Sequence, residues 1–483
     1  MSLNRNLIIV AVLIITTVSF GKTIYVDDDA IGANDGSNWE NAYFYLQDAL
    51  ADANDSDKPV EVRVAQGTYK PDMGGGIMPG DKEAAFQLIS GVTITGGYAG
   101  IGTNDPNVRD IELYETILSG DLNGDDMEFE ELIYDANRAE NSYHVLIGSG
   151  TNMTAVIDGF IITSGQANGN ELDNDPFDKD RLRYGGGMYN YEGNPTLTNC
   201  VFSGNMGELV GGMYNNMSNV TLTNCTFNNN WGWGAGGMEN QNSNVILTNC
   251  RFSGNPMGGI CNYESSIILT KCTFSWSNVI NMPSSAIIMT NCIFTGNYNA
   301  INHLVGDDPN SILILTNCTI SGNHGAISSS GNGTNSGQGP ILNNCIIWNN
   351  TSIEIPENSI ITYSNIQGGW EGEGNIDEDP LFANPGYWPD ANDTNASHEL
   401  NDPNAFWIDD DYHLKSIAGR WDPNSESWVF DEVTSPCIDA GDPLSPVMYE
   451  PHPRGCIINM GAHGGTEEAS KSPFGCSYKA NSD

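Results

Sequence analysis

The sequence predicts an all-β fold, a parallel β-helix (solenoid) built from short strands in successive coils. A Thr-Asn-Cys triplet or a close variant recurs at spacings of 25, 25, 22, 20, 26 and 27 residues. Periods of this length, with turn residues inside each unit, are typical of solenoids. Asn, Gly, Thr and Ser dominate each unit, and these poor helix formers exclude helical repeats. Seven cysteines mark the repeat: Cys200, Cys225, Cys250, Cys272, Cys292, Cys318 and Cys345.

One repeat unit, residues 219–230, indicates how a coil is built. Val220 and Leu222 share one face of a strand, whereas Cys225 and Phe227 share a face of opposite parity. Both pairs point inward only if the chain bends between them, and Asn224 at the bend tolerates the left-handed conformation of a tight corner. Leucine-rich repeats, the competing solenoid of this period, require a Leu-x-x-Leu-x-Leu frame that is absent here.

Two further columns repeat ahead of each cysteine. A glycine and an inward Met or Ile precede an asparagine whose amide is expected to hydrogen-bond along the solenoid axis. The asparagines are Asn190, Asn215, Asn240 and Asn262. Stacked cysteines in parallel strands are poorly placed for disulfides, so we expect a ladder of free, buried thiols. Outside the ladder, Cys437 and Cys456 are candidates for a pair, with Cys476 left over.

The chain begins like a secreted protein and is strongly acidic. Arg5, an apolar run from Leu7 to Val18 and small residues before Lys22 indicate a signal peptide over residues 1–21. The net charge of −43, from 18 Lys+Arg against 61 Asp+Glu, excludes a nucleic-acid partner. The same charge would repel an acidic polysaccharide unless a cation bridges the two. A solvated surface and calcium binding are the alternative reasons for the charge.

Several longer stretches resemble a known family. "TIYVDDDAIGANDGSNWENAYFYLQDALADA", "VRVAQGTYKP", "GVTITGGYAG" and "TILSGDLNGDD", followed later by "SPCIDAGDP" and "INMGAHGGTEEASKS", resemble secreted β-helix repeat proteins of the pectate-lyase-like superfamily, of planctomycete type. The resemblance implies a single-stranded right-handed parallel β-helix with an N-terminal cap and a C-terminal non-repeat module. It does not imply one activity, because the superfamily includes lyases, hydrolases, epimerases and adhesins.

The domain organisation follows from the repeat and the resemblance. After the signal peptide we expect a cap and first coils over residues 22–150, with "NAYFYLQDALADA" as an amphipathic capping helix. The regular β-helix is expected over 151–370, a C-terminal capping module over 371–466 and a tail over 467–483.

The resemblance also implies a ligand groove outside the solenoid, where turns meet one sheet face. Carbohydrate sites combine aromatic faces, which stack on sugar rings, with carboxylates for binding or acid/base work. Candidate substrate-binding residues are Tyr189, Glu208, Tyr214, Trp231 and Trp233. Candidate catalytic carboxylates are Glu192, Glu239 and Glu264. The alternative is that the tyrosines only cover a sheet face and the carboxylates are solvated.

The reaction type stays open between hydrolysis and elimination. A hydrolase needs two carboxylates at a defined separation, which the sequence does not fix, and the Asp cluster of pectin hydrolases on this fold is absent. A lyase needs a base near a uronate and a positive group. Arg251 and Lys271, on adjacent coils beside the cysteine ladder, are the candidates, with ordinary surface residues as the alternative.

Calcium is the expected cofactor, at one of two acidic loops. Asp121, Asn123 and Asp125 begin like an EF-hand loop, but Leu132 at the twelfth position departs from that motif, which leaves a generic acidic site. A second loop offers Glu171, Asp173, Asp175, Asp178 and Asp180, and its alternatives are a calcium site or a flexible, solvated loop. The seven histidines show no ligand spacing, and no phosphate loop or Ser-His-Asp arrangement is found.

Together these observations predict a secreted protein, monomeric and without a transmembrane segment, that engages a polysaccharide or cell-surface glycan. It would act as a polysaccharide lyase or glycoside hydrolase, or as an inactive glycan-binding relative. The alternative is a structural or adhesive surface protein with no chemistry, which would use the same scaffold.

Overall fold

The chain winds around one axis through three long parallel sheets. The computed structural model describes residues 21–127, 136–169, 181–304, 308, 310–329, 339–386, 411–447 and 449–475. Nearly the whole predicted signal peptide, the acidic loop from Glu171 to Asp180 and Cys476 lie outside these ranges. The structure confirms the predicted right-handed parallel β-helix, because strands of one sheet come from successive coils and pair in parallel.

Each full coil contributes one strand to each sheet, in the chain order C, A, B. Sheet A contains Lys22–Val26, Val60–Ala65, Val92–Tyr98, Val156–Asp158, Thr196–Thr198, Asn219–Thr223, Asn244–Thr248, Ser266–Thr270, Ala286–Thr290, Ile312–Thr316, Ile341–Asn343 and Ile360–Thr362. Sheet B contains Gly67–Tyr69, Thr116–Ser119, Ile161–Thr163, Val201–Ser203, Thr226–Asn228, Arg251–Ser253, Thr273–Ser275, Ile293–Thr295, Thr319–Ser321, Ile346–Trp348 and Asn365–Ile366. Sheet C contains Phe86–Gln87, Leu146–Ile147, Met188–Tyr191, Met213–Asn216, Met238–Gln241, Ile260–Tyr263, Val279–Asn281, Asn299–His303 and Gly325–Ser329.

The remaining elements are short. An α-helix, Leu46–Asp55, packs its buried leucines and alanines against the first strands, within the segment predicted as a capping helix. The 3₁₀ turns are Ala136–Glu140 and Arg181–Arg183, and Gln166–Ala167 pairs with Met206–Gly207. Two antiparallel pairs form the C-terminal module: Phe382–Asn384 with Asp411–Leu414, and Arg420–Asp422 with Ser427–Val429. Among the described residues, no helix is long and apolar enough to cross a membrane.

The recurring Thr-Asn-Cys triplet forms the corner between sheets A and B. Asn224 adopts the left-handed conformation with a φ of 54°, as the sequence predicted. The Cys225 thiol then turns inward and donates to the Thr223 carbonyl at 3.4 Å. Cysteine fits this position because it is small enough for the interior and its thiol can donate to the nearby carbonyl at the corner.

Stacked side chains fill the interior and bind the coils to one another. The rings of Phe202, Phe227, Phe252, Phe274 and Phe294 stack with centroids 4.7–5.0 Å apart. This spacing matches the distance of about 4.8 Å between neighbouring strands. Each coil therefore places its aromatic residue directly on that of the coil before.

Buried asparagines form two ladders that run along the axis. In sheet C, Asn190 donates to Asn215 at 3.1 Å, Asn215 to Asn240 at 2.9 Å and Asn240 to Asn262 at 2.8 Å. A second ladder lies at the turns between sheets B and C, called the B–C turns below. There Asn230 accepts from the Asn205 amide and backbone N–H and donates to the Phe202 carbonyl. The amides satisfy turn backbone groups that no strand partner reaches.

Glycine precedes sheet C because neighbouring coils approach too closely for a side chain. A Cβ on Gly187 would lie 2.6 Å from the carbonyl oxygen of Gly212 in the next coil. The same contact recurs from Gly212 to Gly237 and from Gly237 to Gly259. This column therefore keeps the B–C turns in register.

The cysteines follow the predicted pattern in the repeat but not outside it. All seven ladder cysteines are free and buried. The predicted candidate pair of Cys437 and Cys456 is wrong: Cys437 is a buried free thiol that accepts from Asn365 at 3.0 Å, whereas Cys456 is disulfide-bonded. Cys437 belongs to the apolar core under the C-terminal module, where it packs with Ile346 of the β-helix and Met460.

The C-terminal module docks on the A–B corner through the repeat asparagines. Asn291 donates to the Ala462 carbonyl at 2.7 Å, Asn317 donates to the Asn459 carbonyl at 3.0 Å, and Asn344 accepts from the Asp442 N–H at 2.6 Å. Part of the segment predicted as a tail is packed here: Ala469 and Ser472 are buried, whereas Phe474 is exposed. The corner asparagines of earlier coils instead bond to each other.

We expect Asn230→Ala to lower the free energy of unfolding by roughly 2–4 kcal/mol, because it leaves buried partners in the neighbouring turns unpaired. Equilibrium denaturation in guanidinium measures this loss. Asn219→Ala is the matched control, since Asn219 is exposed and its amide bonds only at the surface, and its effect should stay within about 0.5 kcal/mol. Equal losses in the two variants would contradict the role of the buried ladder.

Candidate functional site

Four outward positions of sheet C form one column along the axis. The parallel register places Tyr189 beside Tyr214, Tyr214 beside Glu239 and Glu239 beside Cys261. All four residues are buried although they point away from the solenoid interior. The preceding B–C turns lie against this column: a Cβ on Gly185 would be 3.2 Å from the Cβ of Tyr214, and one on Gly234 would be 2.9 Å from Glu239 Oε2. The structure thus creates a second, outer layer at this position of the solenoid.

Glu239 is the only carboxylate in this column. It is 6% exposed, and a Cβ on Gly234 would lie 2.9 Å from its Oε2 atom, so the carboxylate lies directly under the turn. Burial raises the pKa of Glu239 from 4.5 to about 7. A carboxyl group that titrates near neutral pH is suited to donate and accept protons. Burial also raises the pKa of the neighbouring Cys261 thiol to about 12, which keeps it protonated and a poor nucleophile.

Three tyrosines extend this layer away from Glu239. The ring of Tyr214 lies 4.3 Å from that of Tyr184 and 5.7 Å from that of Tyr189, measured between centroids. The Tyr214 hydroxyl donates to Gln241 Oε1 at 2.7 Å. Packing and this hydrogen bond fix the ring orientation, so these tyrosines form a rigid floor rather than mobile surface groups.

The rim of the site carries an ion pair and two tryptophans. Arg183 binds Glu208 through two contacts, Nε to Oε2 at 2.9 Å and Nη2 to Oε1 at 2.6 Å. Trp231 and Trp233 meet edge to face, with ring centroids 5.0 Å apart, and Trp233 is 66% exposed. Trp233 lies on the coil next to that of Glu208, and its backbone N–H donates to the Glu208 carbonyl. The structure therefore brings Glu208, Trp231, Trp233 and Glu239 together.

The aromatic surface continues along the B–C turns beyond the predicted residues. Tyr298 is exposed and occupies the same turn position as Trp231, directly after a buried ladder asparagine. With Trp276 and Met257 it lines a cavity of about 320 Å³. Sequence reasoning missed Trp276 and Tyr298. Aligning the residue after each buried turn asparagine would have found Tyr298, which follows Asn297, but not Trp276, which precedes Ser277.

Glu192 and Glu264 do not join this site. Both are exposed and occupy the corner between sheets C and A, where they adopt φ values of 51° and 47°. That corner lies three residues beyond the Glu239 position, about 10 Å along the strand direction. The coils of Met217 and Asn242 separate the two carboxylates from each other. The prediction of one groove therefore holds for the tryptophans, Glu208 and Glu239, and not for these two residues.

Arg251 and Lys271 lie on another face of the solenoid. Arg251 is exposed on sheet B, where it pairs with Thr273. Lys271 replaces asparagine at the A–B corner and lines a cavity of about 450 Å³ together with residues of the C-terminal module. Neither cation reaches the Glu239 column, because the corner and sheet B face away from sheet C.

In the first predicted calcium loop, Asp121 and Asp125 lie close to a third carboxylate, that of Glu140. Ligand oxygens of Asp121, Asp125 and Glu140 all lie within 4.8 Å of one another. Asp121 also accepts N–H groups from Gly124, Asp125 and Asp126, so it shapes the loop. Asn123 is in the same loop, and its N–H donates to Glu140 at 3.4 Å.

Comparisons with family models match two parts of the chain. A model described as right handed beta helix region matches residues 158–312, and a model described as disaggregatase related matches residues 389–441. No curated protein sequence matches the chain significantly.

Several solved structures are similar to this chain. Pectate lyase Pel9A has 13% identity and a TM-score of 0.51, with 92% of this chain and 97% of that chain covered. Alginate lyase from Paenibacillus sp. str. FPU-7 has 10% identity, a TM-score of 0.32 and coverages of 74% and 99%. GH136 lacto-N-biosidase from Eubacterium ramulus has 10% identity, a TM-score of 0.36 and coverages of 74% and 68%. At 13% identity, the similarity to the pectate lyase shows a shared fold alone. The TM-scores of the alginate lyase and the lacto-N-biosidase are below 0.5, and no conclusion is based on them.

We expect Glu239→Gln to stabilise the protein at pH 8 but not at pH 4.5. The folded state binds a proton that the unfolded state has lost between pH 4.5 and about 7, so the wild type loses stability as pH rises through this window. The Gln variant has no such loss, so above pH 7 its free energy of unfolding should exceed that of the wild type by on the order of 3 kcal/mol at most. Denaturation at several pH values measures it.

Glu264→Gln is the control for this experiment, because Glu264 is exposed at a corner. Its stability should follow the wild-type pH profile. If Glu239→Gln also follows that profile, the Glu239 carboxyl is not desolvated as described.

Proposed function

We propose that this right-handed parallel β-helix protein of the pectate-lyase-like superfamily binds a polysaccharide along its B–C turns and hydrolyses it with Glu239 as general acid. One observation carries the proposal: the buried Glu239 carboxyl group, whose pKa burial raises to about 7, lies against Gly234 of the turn that also carries the exposed Trp233. The proposal includes export from the cell, for which the amino-terminal sequence provides the support.

The groove has the composition of a carbohydrate site. Trp233 and Tyr298 are exposed aromatic residues on B–C turns of different coils, where sugar rings can stack, although His324 covers one face of the Tyr298 ring at 4.9 Å. Their coils are three apart, which corresponds to roughly 14 Å along the axis. This length favours an extended chain over a single small molecule as ligand.

The charges favour an uncharged glycan. Arg183 is a cation at the rim, and its Nε and Nη2 atoms donate to the Glu208 carboxylate. The net charge of −43 opposes the approach of a polyuronate. Elimination from a uronate needs a positive group near the sugar carboxylate, and Arg251 and Lys271 lie on another face. These observations support hydrolysis rather than elimination.

In the proposed reaction Glu239 donates its proton to the glycosidic oxygen as the bond from that oxygen to the anomeric carbon breaks. A water molecule adds its oxygen to the anomeric carbon and gives one proton to Glu208, which Arg183 holds in place. The pKa of about 7 allows Glu239 to carry a proton near neutral pH. Paired carboxyl groups with different environments are the usual basis of such acid and base roles.

A second function, binding without catalysis, is favoured by one specific observation. Glu208 is engaged by Arg183 in a two-point ion pair, which reduces its freedom to accept a proton from water. The protein would then be a glycan-binding or adhesive surface protein that uses the aromatic turns alone. The two functions predict the same binding but different turnover.

Calcium is proposed as a stabilising ion at Asp121, Asp125 and Glu140, outside the groove. Three carboxylates within 4.8 Å of one another provide the hard oxygen ligands that calcium prefers. Such an ion would hold the loop after the sheet B strand Thr116–Ser119. The acidic loop from Glu171 to Asp180 lies outside the described residues and remains a prediction.

We expect the protein to release reducing ends from at least one neutral polysaccharide in a panel of neutral and acidic substrates. Glu239→Gln should lower this rate by at least about 100-fold, because a general acid contributes that much. Trp233→Ala should weaken binding roughly tenfold, measured by affinity electrophoresis. Glu264→Gln and Phe430→Ala are matched controls, since both residues are exposed away from the groove.

The outcomes separate the functions. Binding that depends on Trp233 without release establishes the non-catalytic alternative. Release only from uronate polymers, with unsaturated products, would show a lyase and contradict the hydrolase. Release or binding that is unaffected in both groove variants would place the active surface elsewhere.

We expect calcium to raise the free energy of unfolding by about 1.4 kcal/mol when its concentration is roughly ten times the dissociation constant. Urea denaturation with calcium or with a chelator measures this gain. Asp125→Asn should remove most of it, whereas Glu112→Gln, an exposed acidic residue nearby, should retain it. An equal calcium effect in both variants would indicate general screening of the acidic surface.

A further inference from the structure

Two histidines and a glutamate converge where the C-terminal module meets the β-helix. His413 lies on the strand Asp411–Leu414, and His463 and Glu468 follow in the last packed segment. One ligand atom of each residue lies within 4.8 Å of the others. Both His413 Nε2 and His463 Nδ1 lie 3.8 Å from Glu468 Oε2, too far for a hydrogen bond.

The His413 ring is held in one orientation from behind. Its Nδ1 lies 2.6 Å from Asp411 Oδ1, and the other oxygen of Asp411 accepts from Arg420 Nη1 at 2.8 Å. Arg420 in turn contacts Asp431. In the neutral ring, a proton on Nδ1 leaves the lone pair on Nε2, which is the arrangement of a carboxylate–histidine–metal triad.

The inward nitrogen of His413 is buried and has no hydrogen-bond partner. Its Nε2 atom is inaccessible to solvent and unpaired among the described residues, and it points toward Glu468. A buried polar atom without a partner is costly, so such atoms call for a ligand or a functional role. This observation is independent of the spacing of the three side chains.

We propose that His413, His463 and Glu468 bind one divalent transition-metal ion of the zinc type, with Asp411 as the positioning residue behind His413. Two imidazoles and a carboxylate are a ligand set used for zinc, and imidazole selects such ions over calcium and magnesium. The remaining coordination positions would face the cavity of about 450 Å³ that His463, Glu468 and Lys271 line.

Binding requires one movement. The rings of His413 and His463 lie face to face, with centroids 3.5 Å apart and planes at 19°. An ion about 2.0–2.1 Å from each nitrogen needs the rings spread apart. His413 is fixed by Asp411, so His463 must turn, and its partly exposed ring borders the cavity that gives it room. Glu468 is half exposed and free to follow.

Such an ion would join separate parts of the chain. Strand Asp411–Leu414 supplies one ligand, and the segment after residue 462 supplies two. Ion binding would therefore stabilise the module and place a Lewis acid at a cavity next to Lys271. Sequence inspection missed the site because fifty residues separate His413 from His463, and only the packing of the module brings them together.

Titration of the full-length, chelator-treated protein with zinc tests this proposal, in excess calcium to fill the acidic loops. Calorimetry should show one zinc ion per chain, and zinc should raise the melting temperature. His463→Ala and Glu468→Gln should each weaken binding at least about 100-fold, and Asp411→Asn by roughly 10- to 100-fold. Cobalt should give a visible absorption band that His463→Ala removes.

His452→Ala is the matched control, because His452 is an exposed histidine of the same module. It should bind zinc like the wild type. His463→Ala is expected to fold, as its ring is at the cavity edge, and circular dichroism checks this. The proposal is overturned if the wild type binds no zinc, or if His463→Ala and Glu468→Gln bind it as tightly as His452→Ala.

Discussion

The structure depends on one constraint: each coil must repeat the shape of the coil before it to within the distance between neighbouring strands. A solenoid has no central core shared by distant segments, so every coil is stabilised by its two neighbours. The phenylalanine stack and the asparagine ladders both satisfy this constraint, one through packing and the other through hydrogen bonds. The glycines before sheet C satisfy it by leaving room for the next carbonyl.

This constraint also decides where function can appear. Sheets A and B and their corner are regular, and the corner asparagines are used either for each other or for docking the C-terminal module. The B–C turns vary in length, so they can fold over the outer face of sheet C without disturbing the stack. Glu239 acquires its raised pKa there because a turn covers it, although its strand position is ordinarily open to solvent. A fold that is rigid inside thus supports a site built from its least regular part.

The C-terminal module makes a second irregular region. It closes one end of the A–B face and produces a cavity lined partly by repeat residues such as Lys271 and partly by module residues such as His463. The seven ladder thiols lie in the solenoid interior, apart from both sites, and the acidic residues give the chain its net charge of −43. They are consistent with a protein that is stabilised by neutral stacking inside and solvated carboxylates outside.

The sequence by itself determined the fold, because a local repeat dictates the corner, the strand parity and the inward residues. The positive φ of Asn224, the buried Cys225 and the sheet C ladder from Asn190 to Asn262 all follow from patterns within one coil or between adjacent coils. The grouping of Trp231, Trp233 and Glu208 was also predictable, since these residues lie on neighbouring turns. Tertiary structure alone decided which carboxylates joined them: Glu239 is covered by a turn, and Glu192 and Glu264 are turned out at a corner. It also decided that Cys437 stays free and that His413 meets His463. Both features depend on how the non-repetitive C-terminal module packs, so no coil repeat predicts them.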